Sequence, residues 1–299
     1  MTQRLDYRSS PFEPVPRWRR AWPLAWQEAT SLFRTKWGVA LFFVCLLPAL
    51  VRLAMLLILF GVVNFGPLSL RNRVPSRGRG ELAALDPAQA EFYVDHVLQV
   101  MPGMVFVLLL SSLVVARSIA RDRTTNALEL YWTRGISPRA YLLAKWLGCT
   151  LVVGTVTVAA PFALWVTAVF LADDWSLLAD SWLPLVLSLG GLAITTMVWV
   201  GIGVFISAAC ATPNAAMVLW TMLLVGSKAI GVVAAIALEE RWLRSCLSVW
   251  DAGGVVVRAI GGLSQRQVSV PGAVAALAAW FFLLLWRARR HLRVVEAVQ

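Results

Sequence analysis

The chain alternates between long apolar runs and short polar segments that hold nearly all of its Arg, Asp and Glu. Six runs stand out, at about 38–63, 98–119, 141–171, 183–209, 215–238 and 268–286. A hydrocarbon layer about 30 Å thick needs about 20 apolar residues of helix, each adding about 1.5 Å. The runs have that length, and a helix satisfies its own backbone hydrogen bonds where water is absent. The pattern predicts an all-α integral membrane protein of about six transmembrane helices. The fourth and fifth runs form a tight hairpin, with only Cys210-Ala211-Thr212-Pro213-Asn214 between them.

Three segments between the runs have patterns of their own. Residues 18–37 mix Trp18, Trp22, Trp26, Leu32, Phe33 and Trp37 with Arg17, Arg19, Arg20, Arg34 and Lys36, the composition of a helix lying in the membrane interface. Asp86-Pro87 predicts an N-cap and first helical residue for a helix through about Gln99. Residues 241–266 are too broken by Gly253-Gly254 and Gly261-Gly262 to cross and too apolar for a free loop, which predicts a re-entrant or interfacial helical hairpin. The organisation expected is an N-terminal tail with interfacial helix over 1–37, a transmembrane domain over 38–286 and a C-terminal tail over 287–299.

Composition agrees with this. Hydrophobic residues make up 59% of the chain and charged residues 14%, against roughly 25% in soluble domains. The net charge of +11 reflects cations flanking membrane helices, so nucleic acid is not an expected partner. Seventeen Lys and Arg fall on the side of the N-terminus and eight on the other, which predicts both termini in the cytoplasm. Arg71, Arg73, Arg77 and Arg79 in the first outer loop, 64–97, run against that bias, and the role of that loop is left open. The N-terminus has no cleavable signal pattern, its first 37 residues being polar and basic. Cys45, Cys149, Cys210 and Cys246 form no CxxC pair, so neither a disulfide framework nor a zinc site is expected.

The chain carries no catalytic motif. A P-loop needs Gly-Lys-Ser/Thr, and none of Lys36, Lys145 and Lys228 follows a glycine. His96 and His291 are the only histidines, and no HExxH occurs. No Asp or Glu lies in the centre of a run, which argues against proton-relay carriers. Arg52 and Lys228 do lie inside runs, about 20 Å along their helices from the cytoplasmic ends. A charge there costs about 2.5–3.5 kcal/mol on insertion scales, and no acidic residue within the runs is available to pair with either. They either snorkel or bond backbone carbonyls, or they face a substrate pathway and favour an anionic or amphiphilic cargo.

Residues 117–148 are the most informative stretch. Ala127, Leu128, Leu130, Tyr131 and Trp132 give a short helix an apolar side, Gly135 stops it, and Ser137-Pro138 caps and starts the next. Such a helix is either a connector resting on headgroups or a peg for a soluble partner. The segment resembles the signature region of type-2 ABC (ABC-2) exporter permeases, on Asp122-Arg123, Thr124-Thr125, Leu128-Glu129-Leu130, Gly135-Ile136-Ser137-Pro138-Arg139 and Leu142-x-x-Lys145-x-x-Gly148. Gly135 stands where that family often has Pro, and Asn126 interrupts the usual Gly-Thr-Leu-Glu spacing.

The resemblance implies a permease subunit in the bacterial inner membrane, paired with a second copy or homologue over a cytoplasmic ABC ATPase dimer. ATP and Mg would bind that partner, with no cofactor in this chain. It implies a coupling helix over about 121–139, with Arg121, Asp122, Arg123, Leu128, Glu129, Leu130, Arg134, Ser137, Pro138 and Arg139 as ATPase-coupling residues. Two other classes remain open from sequence: a non-transporting scaffold of an ABC-like complex that regulates another envelope component, and an ATP-independent secondary carrier.

Overall fold

The computed structural model describes residues 17–62, 86–87, 89–99, 103–133, 136–172, 175–240, 242–263 and 269–297, and every regular element among them is helical. The first outer loop therefore lies mostly outside the described residues. In chain order the helices are α1 (Arg17–Ser31), α2 (Lys36–Leu59), α3 (Ala90–Leu98), α4 (Val105–Val114), α5 (Ser118–Thr124), α6 (Ala127–Thr133) and α7 (Pro138–Gly154). They continue with α8 (Ala160–Leu171), α9 (Ser176–Ala209), α10 (Pro213–Thr221), α11 (Ser227–Ala237), α12 (Trp242–Leu247), α13 (Val249–Ile260) and α14 (Val270–Ala297). A π-helical turn, Thr155–Ala159, joins α7 to α8, and another, Met222–Gly226, joins α10 to α11.

Five rods among the described residues are long and apolar enough to cross a membrane: Lys36–Leu59, Pro138–Leu171, Ser176–Ala209, Pro213–Ala237 and Val270–Ala288. Helix α9 is central, in contact with α3, α7, α10, α13 and α14, and with α5 near its C-terminal end. Apolar side chains such as Phe43, Phe170, Ile236 and Phe282 are exposed on the outer rods, as a lipid-facing surface requires.

The second predicted run is not one rod. The Ser111 carbonyl accepts from both Val115 N and Ala116 N, and the Ser118 hydroxyl turns back onto the Val115 carbonyl at 2.9 Å. Ser side chains that compete for the ladder bend helices, and here the run splits into α4 and α5. Two other expectations shift. Helix α3 starts at Ala90 behind Gln89, so Asp86 does not cap it. Pro87 sits in the preceding turn, its carbonyl accepting from Tyr93 OH at 2.8 Å. The N-terminal helix ends at Ser31 rather than 37, because Thr35 turns extended and its side chain caps α2 by accepting from Gly38 N. Helix α14 runs unbroken from Val270 to Ala297.

The segment after α11 folds back on itself. Helix α12 returns alongside α11, and α13 then runs antiparallel to α9, with Val249 at Trp199 and Gly261 at Ser188. Gly253 is required for this seat, since a Cβ there would lie 2.4 Å from the Trp199 ring. The tip of the hairpin lies about 15 Å along α9 from Ala209, deep between the rods. Side chains satisfy its broken backbone: Trp199 Nε1 donates to the Val249 carbonyl, Val249 N donates to Ser227 Oγ, and Ser248 Oγ accepts from Asp251 N. Trp250 stacks on Trp199 at 4.3 Å between centroids and donates to the Leu98 carbonyl at 3.0 Å.

Candidate functional site

Helix α1 has two unlike faces. Leu24, Ala25, Glu28 and Ala29 are buried, whereas Trp22 and Trp26, one turn apart, are more than half exposed. The buried face lies on α7. Gly148 permits the approach, because a Cβ there would meet the Ala25 carbonyl at 2.5 Å and Glu28 Cβ at 2.8 Å. One turn earlier on the same face of α7, Lys145 reaches Glu28.

Lys145 is the centre of a buried ion-pair node. Its Nζ lies 2.7 Å from Glu28 Oε2 and 2.7 Å from Asp122 Oδ2, and all three side chains are less than a tenth exposed. Tyr141 OH donates to Asp122 Oδ2 at 2.8 Å. Arg121, half-exposed, approaches Glu28 at 3.9 Å. The Tyr131 ring packs 5.4 Å from that of Tyr141, and burial, with the Asp122 carboxylate next, pushes the Tyr131 phenol up so that it stays neutral. Two buried carboxylates sharing one ammonium and a phenol meet the condition under which burying charge is tolerable, namely that each is paired and hydrogen-bonded. The node joins α1, α5 and α7, three elements separated in sequence.

A second set of bonds fixes α5 to the end of α9. Ser207 Oγ accepts from Ile119 N and Ala120 N, both at 3.0 Å. Arg123 donates to the carbonyls of Ala208 and Cys210, each at 2.8 Å. A cation at a helix C-terminus is favoured by the dipole and satisfies carbonyls that the helix leaves open.

The residues proposed from sequence divide into two groups. Asp122 and Leu128 are buried and Arg123 half-buried, and they hold the loop in place. Ser137 Oγ accepts from Ala140 N and Pro138 opens α7, as expected. Arg121, Glu129, Leu130 and Arg139 are exposed and available to a partner. Leu130 was expected on the apolar side of its helix, yet it is 51% exposed, because Leu128 and Tyr131 take the inward positions. Arg134 and Gly135 lie outside the described residues. Asn126, between α5 and α6, has φ +56°, the left-handed conformation that Asn adopts more readily than most residues. The residue that breaks the familiar spacing is thus the corner of the loop.

The sequence did not single out Glu28, Tyr141 or Ser207. Glu28 left one signal: it is the sole carboxylate in residues 17–37, at helical spacing from Leu24 and Ala25.

The two cations within spans are resolved differently. No acidic residue of a span was expected to pair with Lys228, and its partner indeed comes from outside the spans: it meets Asp251 of α13 at 2.5 Å, and Asp251 also accepts from Arg244 at 3.1 Å. The partner was missed because it comes from the folded-back hairpin rather than from a span. The Arg52 guanidinium lies 5.2 Å from the centroid of the Phe92 ring. Asp95, on the same short helix as Phe92, pairs with Arg258 at 3.1 Å. The structure does not bring Arg52 and Lys228 together with the loop residues at the other end of the bundle.

In comparison with known proteins, the sequence model of a family described as "ABC-2 family transporter protein" matches residues 22–241. No curated protein matches the chain. The matched region contains Glu28, Asp122 and Lys145 and ends before the α12–α13 hairpin.

Proposed function

Since the chain belongs to the ABC-2 transporter family, we propose that this membrane permease is the channel-forming subunit of an exporter driven by a separate ABC ATPase. Two permease copies, identical or homologous, enclose the pathway in the bacterial inner membrane over an ATPase dimer that carries ATP and Mg. Six crossings and cytoplasmic termini fit this reading: the five long rods are joined by a sixth crossing through α4, which ends at the bend before the α5–α6 loop. Charge supports the same orientation, with Arg117, Arg121, Arg123 and Arg139 at one end of the bundle. The exposed Trp22 and Trp26 face of α1 suits the inner-leaflet interface.

The observation that carries the proposal is the node of Glu28, Asp122 and Lys145. It makes α1, the 118–133 loop and the start of α7 one body, while Arg121, Glu129, Leu130 and Arg139 stay exposed on it. A partner that grips α6 therefore moves the first long rod after the loop, rather than bending a slack connector. Two discrete arrangements of such packed bodies underlie alternating access. Arg52 and Lys228 remain candidates for the pathway wall, with Lys228 already neutralised by Asp251.

The test is Glu129→Arg. The variant should reach the membrane at wild-type level, lose most ATPase-coupled transport and retain less of the ATPase on co-purification. Normal transport and normal ATPase retention would remove α6 as the docking site.

A further inference from the structure

Helix α13 is held in two unlike ways. At its deep end Asp251 is paired twice, with Lys228 of α11 and Arg244 of α12, and the Lys228–Asp251 pair is largely buried. At its other end Arg258 makes one described ion pair, with Asp95 of α3, and its side chain is 39% exposed. Removing Lys228 would strand buried charge at the deep end. Arg258, by contrast, is partly exposed so that water can take it up, and Asp95, itself only 11% exposed, still lies in the field of Arg52 when Arg258 leaves.

The seat of α13 also carries polar groups that its closed position leaves unsatisfied. Ser188 Oγ and Thr195 Oγ1 are buried without a hydrogen-bond partner, and these residues face Gly261 and Gly253 of α13. His96, next to Asp95, buries both ring nitrogens with only a loose approach to the Tyr93 backbone. Of six such atoms among the described residues, these make four. An unsatisfied buried polar group penalises the state that buries it, so each favours a state in which water reaches it. Backbone joints flank the hairpin: Glu239 after α11 and Gly262 after α13 have φ of +55° and +68°. A side-chain-bearing residue is uncommon there.

We propose that α13 is a movable wedge that pivots on Asp251 at its deep end and swings Arg258 away from Asp95, hydrating the seam against α9 and α3. The assignment of this motion to the outward-opening step rests on the exporter reading; the motion itself does not.

Hydrogen–deuterium exchange of the full chain in lipid nanodiscs tests it, with peptides from 249–260 as readout and 270–288 as internal control. Asp95→Asn should speed exchange in 249–260 about fivefold, the effect of losing one partly exposed pair. Ser188→Ala with Thr195→Val removes unsatisfied hydroxyls at nearly constant shape and should slow it about tenfold. Opposite signs for the two changes distinguish a hinged wedge from loosening of the fold. Equal or faster exchange in the double variant, or an Asp95→Asn effect equally large in 270–288, would overturn the proposal. In a second arm the partner ATPase is trapped with a non-hydrolysable ATP analogue, and exchange in 249–260 should rise. No rise in an intact complex removes the wedge from the transport step. If the ATPase does not bind at all, the exporter reading fails while the first arm still decides the motion.

Discussion

Replacing Lys145 by Met removes the cation that touches both Glu28 and Asp122 and leaves their carboxylates facing each other in a buried site. Both oxygens lie 2.7 Å from Lys145 Nζ, so they are at most about 5.4 Å apart. At an effective dielectric constant of about 20, two unit charges at that distance repel by about 3 kcal/mol. Removing one partner of a buried pair costs about 3–5 kcal/mol in measured cases. At about 2–4 °C per kcal/mol, Lys145→Met should lower Tm by about 6–20 °C. Thermal ramps followed by tryptophan fluorescence would measure this in detergent or nanodiscs. The informative comparison is the triple variant Glu28→Gln, Asp122→Asn, Lys145→Met, which deletes every charge at once. Neutralising a whole buried ionic group is often harmless, so the triple variant should recover most of the loss. A single variant within about 2 °C of wild type, or a triple variant no better than the single, would refute the electrostatic account of the node.

Three further outcomes follow from the packing around it. Gly148→Ala forces a Cβ to within 2.5 Å of the Ala25 carbonyl and should cost about 1–3 kcal/mol by pushing α1 off α7, read as a lower Tm. Asn126→Gly should preserve stability, whereas Asn126→Val at φ +56° should cost about 1–2 kcal/mol, and equal Tm values would disprove the corner role. Ser207→Ala leaves the buried amides of Ile119 and Ala120 without their acceptor and should cost about 1–3 kcal/mol, with faster amide exchange confined to α5 as the signature.

The long rods were legible because a bilayer-length apolar run has few other solutions, and five of the predicted runs correspond to them with ends shifted by a few residues. The second run misled because Ser111 and Ser118 act on the helix ladder through bonds that hydropathy does not register. The 117–148 stretch revealed the loop, since Ser137-Pro138 and the motif residues are local signals. It could not reveal that Lys145 serves Glu28, because nothing in a linear pattern links positions 117 residues apart. Leu142-x-x-Lys145-x-x-Gly148 now has a physical reading: its Lys supplies the charge and its Gly the clearance for one neighbouring helix. The partner of Lys228 was missed for the complementary reason, as Asp251 lies 23 residues on, beyond the turn of a hairpin.

The bonds between α5 and the end of α9 also bear on the order in which the chain is made. Arg123 and the amides of Ile119 and Ala120 find their partners at Ser207, Ala208 and Cys210, 85 to 88 residues later. At about 5–20 residues per second, translation leaves these groups waiting about 4–17 s. During that interval the loop has its sequence but lacks its scaffold, and a nascent chain stalled before residue 207 exposes unmet donors to the insertion and quality-control machinery. The fixed shape of this loop thus depends on the arrival of a later helix, so its final surface exists only once residues 207–210 have been made.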